Sequence, residues 1–255
     1  MLPPEDIRRC ARQVVEAARV TGPPVHLERY FPVVGITRVV REAGVGDADV
    51  RPMGPRRWSL VIDRALVPHT PQWNGAVALA LARVMIPAGA AGEAAARLSE
   101  IAAAELLLPM RFFRPRALRT DLTMDGVREL AMHFVAPIRL TVRQWLESGT
   151  WYGLAMLWRE VSGEVRLRWR AASPGVRFPT TVALGAPAES VWSPKSRLYS
   201  TLRTGRPHHG VEEVRVGPGA IWWFTRFGVV RDDWGRSPGP RPPRAVLALV
   251  SLARR

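Results

Sequence analysis

The stretch "NGAVALALARVMIPAG", residues 74–89, decides how this chain is read. It is built from Ala, Leu and Val with Arg83 as its one charged residue, shows no β-type alternation, and is bounded by Pro71 and Pro87. Such composition between prolines predicts a buried helix of about four turns over residues 72–86. The wider apolar run from Ala76 to Gly92 contains Arg83 and Pro87 and falls short of a membrane span, so no transmembrane segment is expected. Residues 72–89 also contain no His, Asp, Glu or Cys, so this helix brings no metal ligand and no general base.

The rest of the first half surrounds that helix with further elements. "EDIRRCARQVVEAARV" (residues 5–20) places Ile7, Ala11, Val14, Val15 and Ala18 at helical spacing, and "TGPP" stops the pattern. "VHLERYFPVVGITRVV" predicts a short helix and then a strand at 36–40, and "RRWSLVID" predicts a second strand. An Ala-rich helix follows from Glu93 to Leu108, ended by Pro109. Two short helices, 124–134 and 138–147, joined at Val135–Pro137, give a helix-turn-helix outline.

After Gly149 alternation replaces helical spacing, and most of the tryptophans lie there. "LAMLWREVSGEVRLRWRAA" predicts a hairpin turning at Ser162-Gly163, with Val165, Leu167 and Trp169 on one face and Arg166, Arg168 and Arg170 on the other. "SPKSRLYSTLRTG" predicts a helix capped by Ser193 and closed by Gly205, "VEEVRVGPGAIWWFTRFGVV" a second hairpin, "DDWGRSPGPRPP" a long polar loop and "RAVLALVSLA" a closing strand. The expected class is α+β: a mainly helical region with a small sheet at 1–110, the helix-turn-helix-like extension at 111–149, and a C-terminal antiparallel-sheet α+β domain at 150–255.

Composition restricts function less than it first suggests. The net charge of +15 favours polyanions, because cations that neutralise phosphates release counterions. Yet Lys195 is the one lysine among 37 basic residues, a pattern that arginine-rich coding also produces, and residues 149–255 carry 17 of those bases. One cysteine, Cys10, excludes an internal disulfide and a Cys-rich zinc module. It sits among Arg8, Arg9 and Arg12 without a histidine nearby in sequence, and reads as an incidental helix residue. The first residues lack the basic-then-apolar pattern of a secretory signal, so a cytoplasmic address is expected. Neither a phosphate-binding glycine loop nor a GxSxG elbow occurs.

The order of segments resembles the ImmA/IrrE family of zinc metallopeptidase-like bacterial regulators. The resemblance covers residues 5–147 and is carried by "PPVHLERYFPVVGITRVV", "AAAELLLP" and "LTMDGVRELAMHFVAPIRLTVRQWL". It implies a zincin-like N-terminal domain with HExxH on the helix at 72–86, where two histidines one turn apart bind zinc and the intervening Glu acts as base. Here Leu81, Ala82 and Met85 stand at the His, Glu and His positions, and the third ligand falls on Leu98, with Glu100 and Glu105 nearby. The resemblance thus implies a degenerate, metal-free and catalytically inactive member with no cofactor, acting on a repressor-like protein partner. Direct DNA binding is the alternative: on a recognition helix starting at Ile138, Arg139, Arg143 and Gln144 would reach outward to phosphates and base edges. Arg166, Arg168 and Arg170 beside Trp158 and Trp169 are weaker candidates for nucleic acid, their plainer role being the wet face of a half-buried sheet. An active zinc peptidase is disfavoured by the missing ligands. The C-terminal domain loosely resembles a sensory domain, with its small-molecule ligand unidentified. His26, His69 and His133 each read as surface or packing residues, and His208-His209 as a loop pair.

Overall fold

The computed structural model describes residues 3–87, 89–178, 182–216, 219–231 and 244–252, with the side chains of 215–223, 231 and 244 excluded. The polar loop expected at 232–243 lies outside the described residues. The chain divides into two units, Met1–Thr120 with Val127–Gln144, and Asp121–Gly126 with Trp145–Arg255. Residues 111–149 are therefore shared between the units. Among the described residues no helix is long and apolar enough to cross a membrane.

In the first unit, α1 (Pro4–Ala17) starts with proline and carries Glu5 and Asp6 in its first turn, where acids suit the positive end of the helix dipole. It buries Ile7, Ala11 and Val15, one turn apart. A 3-10 turn (Leu27–Tyr30) runs into the four-residue α2 (Phe31–Val34), which Gly35 closes at φ 81°. A Cβ on Gly35 would collide with the Arg56 carbonyl, so that position requires glycine for space as well as conformation. The sheet has three strands in the order β1 (Ile36–Glu42), β3 (Arg57–Asp63), β2 (Ala48–Gly54). β1 runs parallel to β3 and β2 antiparallel to it. β2 was not expected, since "ADVRPMG" contains Pro52 and its last four residues are exposed.

The quoted stretch forms α3 (Pro71–Met85). Thr70 caps it, its hydroxyl accepting from Trp73 N at 3.3 Å, and Pro71 occupies the first turn. α3 packs on α4 (Gly92–Leu107), on α1 and on β2. α5 (Met110–Ala117) was missed because Pro109 reads as a stop and Pro115 lies inside it. Pro109 in fact sits at the N-cap, where a missing N–H costs nothing. α6 (Met124–Phe134) and α7 (Ile138–Glu147) follow the helix-turn-helix outline, with Val135 at φ 50° between them. Asn74 Nδ2 of α3 donates to the Val135 carbonyl at 2.8 Å and ties that turn down.

The second unit is a five-stranded antiparallel sheet in the order β5 (Glu164–Ala172), β4 (Gly153–Val161), β8 (Arg244–Ser251), β7 (Gly219–Arg231), β6 (His208–Val216). The β4–β5 turn is the expected Ser162-Gly163 pair, at φ 53° and 82°, the left-handed combination that matches strand twist. At the start of β4, a Cβ on Gly153 would strike the Val250 carbonyl and lie 2.7 Å from Trp151 Nε1. α8 (Arg197–Thr204) begins later than expected: Ser196, not Ser193, is its N-cap, accepting from Leu198 N at 3.2 Å, and Gly205 closes it at φ 74°. Its core gathers Leu154, Trp158, Leu167, Trp192, Phe227 and Val246. Trp192 stands edge-on to both Trp158 and Phe227, at centroid distances of 6.3 and 5.3 Å.

Candidate functional site

Four groups of residues compete as the functional site. The first is the face of α7. Arg139, Arg143 and Gln144 do not reach outward as a recognition helix requires; this corrects the sequence expectation. Residues 140–146 are all buried, and Arg143 and Gln144 are 4% and 1% exposed. The reason is a pair of acids on α4 that a helical-wheel reading of α7 alone cannot see. Glu100 receives Arg139 Nη2 at 2.8 Å on one carboxylate oxygen and Arg143 Nη2 at 2.6 Å on the other. Gln144 Nε2 donates to Glu105 Oε2 at 3.1 Å and to the Leu108 carbonyl at 2.7 Å. Glu105 in turn accepts from Met110 N at 3.1 Å at the start of α5, with Arg12 Nε 3.6 Å away. Burial raises the Glu105 carboxyl above its ordinary range, and the bonds from Met110 and Gln144 partly offset that. Tyr30 lies in the same interior, donating to the Leu106 carbonyl at 2.8 Å, and burial likewise raises its phenol. Glu100 thus ties α4 to α7, and Glu105 ties α4 to α1, α5 and α7.

The second group is the set of positions that the family resemblance marks. Leu81, Ala82 and Leu98 are buried apolar core and Met85 is half-buried. None is a metal-ligating type, and hydrocarbon fills these positions of α3 and α4 at no cost in unsatisfied polar groups.

The third group is cationic. In β5, Leu167 and Trp169 face inward and Arg168 is exposed, but Arg166 and Arg170 are used locally. Arg166 donates to the Gly185 carbonyl at 3.0 Å and pairs with Glu164, while Arg170 donates to the Val182 carbonyl and stands 5.2 Å over the Phe178 ring. A denser set lies on α5 and just beyond it, where Arg111, Arg114, Arg116 and Arg119 are all exposed. Phe113 and Ala117, one turn apart, face inward and set the arginines outward. Arg116 meets Glu129 at 3.0 Å and Arg111 donates to the Val20 carbonyl, whereas Arg114 and Arg119 have no partner among the described residues. Sequence reasoning passed over these four because the proline-flanked segment was not assigned to a helix.

The fourth group was invisible in sequence. The fold brings His26, Glu28 and His69 together, each exposed, with one potential ligand atom from each lying within 4.8 Å of the others. Among the described residues this is the one trio of His, Cys, Asp or Glu so placed. His133 stands apart on α6, edge-on to Phe134, and His208-His209 belong to β6 rather than to a loop.

No family model matches the chain, and no curated protein matches it. A solved structure of a Mycobacterium tuberculosis transcriptional regulator is similar to it, with a TM-score of 0.62 at 16% identity, covering 97% of this chain and 88% of that chain. At that identity the likeness is one of fold, and it extends through both units. An α+β architecture with a C-terminal antiparallel sheet is thereby shown.

Proposed function

We propose that this is a regulatory protein that acts by binding duplex DNA, through the arginines of α5 and not through α7. The observation that carries this reading is the exposed quartet Arg111, Arg114, Arg116 and Arg119, whose one acidic partner among the described residues is Glu129, in a chain of net charge +15. Phosphate contacts from such a ridge supply affinity without sequence information, and the likeness in fold to a transcriptional regulator supports a DNA partner. Fluorescence anisotropy with labelled duplex at several salt concentrations tests it. Arg114→Ala with Arg119→Ala should weaken binding about tenfold and lower the salt slope by roughly 2. Absence of binding at low salt overturns the proposal. Arg139→Ala should act through stability instead, because that side chain is tied to Glu100.

A second reading keeps the resemblance to ImmA/IrrE proteins: a metal-free, inactive zincin-like unit that engages a repressor-like protein. The apolar filling at Leu81, Ala82 and Leu98 favours it. Chelator-sensitive cleavage of a helix-turn-helix repressor by the purified chain would rule it out.

A further inference from the structure

We propose that His26, Glu28 and His69 form a site for one divalent transition-metal ion of the zinc type, with the remaining coordination position open to solvent. The site lies in the first unit, outside the α3 positions considered above, and stands independently of the DNA-binding reading.

Its geometry follows from local structure on two distant segments. His26 has extended backbone and Glu28 lies in the 3-10 turn that follows it; Val25 and Leu27 are buried there while His26 and Glu28 are exposed. Leu27 and Tyr30 anchor the 3-10 turn in the core, which fixes the base from which His26 and Glu28 project. His69 comes from the turn ahead of α3. There Thr70 Oγ1 donates to the Val67 carbonyl at 2.8 Å and also caps α3, and His69 itself is held at φ 59°. That left-handed conformation is uncommon for a residue with a side chain. The His69 ring is 5.3 Å from the Trp73 ring, and its Nδ1 stands 3.9 Å from Glu28 Oε1. The His26 and His69 rings are 6.4 Å apart and steeply inclined, at 75°, so the two can offer nitrogens to a common point.

The chemistry favours a metal over an ion pair. An exposed carboxylate needs one imidazolium to form a pair, and such pairs contribute little. A second imidazole beside the first adds repulsion when both are protonated. Two neutral imidazoles and one carboxylate, by contrast, are a donor set suited to zinc, nickel or copper and poorly suited to calcium or magnesium. Ligand atoms around zinc stand about 3.3 Å apart, given bonds near 2.0–2.2 Å. The present spread of up to 4.8 Å closes by rotation of exposed side chains. Bound metal would clip the 3-10 turn to the residue preceding the α3 cap, and would stabilise the fold by mass action.

The test uses the full chain, free of any affinity-tag histidines and stripped with chelator. Zinc is titrated against a chromophoric competitor, and thermal melts are recorded with and without zinc. One zinc per chain is expected, with a zinc-dependent rise in melting temperature. His26→Ala or His69→Ala should weaken binding at least tenfold and abolish that rise. His69→Asn tolerates the left-handed backbone and decides the matter should the alanine variant fail to fold. A His208→Ala, His209→Ala double variant should bind as the parent does. No stoichiometric zinc in the parent, binding that survives both His26→Ala and His69→Asn, or binding lost in the His208/His209 variant would each overturn the proposal.

Discussion

In the first unit, Glu100 sits between two arginines and Glu105 between a glutamine and a helix N-terminus, so ionic and polar side chains occupy the interior. In the second, the interior around Trp158, Trp192 and Phe227 is aromatic and aliphatic, and among the described residues Glu212, 3.6 Å from Arg197, is its one buried charged side chain. The difference is one of tolerance. An aromatic core loses stability in proportion to the volume removed, whereas a buried ionic cluster loses it when its charges no longer balance.

The largest effect should come from emptying the aromatic core. Trp192→Ala removes a fully buried indole between two rings and should cost about 3–5 kcal/mol in denaturant unfolding of the second unit. Trp192→Phe should cost far less, because the indole N–H it removes has no partner among the described residues. Glu100→Ala should follow at about 2–3 kcal/mol, since two arginine side chains lose a shared acceptor while Arg139 keeps some solvent access. Changing Glu100, Arg139 and Arg143 together to Leu, Met and Met should recover most of that loss. Failure to recover would mean that the cluster contributes more than a balance of charges. Thr70→Ala, which removes the α3 cap, should cost about 1 kcal/mol.

The smallest effect concerns Glu105 and pH. Burial raises its folded-state carboxyl above the ordinary value of 4.5, so the folded chain holds that proton more tightly than the unfolded one. Stability from this group is therefore present at low pH and falls as pH climbs from that ordinary value through the raised one. Glu105→Gln should flatten the parent's slope in that window, as followed by melting temperature. An unchanged slope would show that Gln144, Met110 and Arg12 fully compensate the burial.

Legibility in the sequence follows the range of the interactions. Ser162-Gly163 and the alternation of Leu167 with Arg168 were readable because a hairpin is encoded by neighbours. The two helices over residues 72–86 and 93–108 were readable from composition and bounding prolines. β2 was not, because its strand character comes from pairing with β3 and not from "ADVRPMG" itself. The orientation of α7 was misjudged for the same reason. Arg139 and Arg143 look like solvent residues until Glu100, on a helix distant in sequence, is placed beside them. His26 and His69 each carry no signal alone, and the sequence contains no spacing that joins them; only the closure of the first unit does.

Gly153 has a practical consequence for mutational scanning. The Val250 carbonyl of the paired strand occupies the space a methyl group would need there, and the buried Trp151 indole crowds the same position. In a library of every single substitution, selected for folded protein, codon 153 should therefore be depleted of all variants. Codon 163, whose glycine faces open space in a left-handed turn, should keep Asn and Asp.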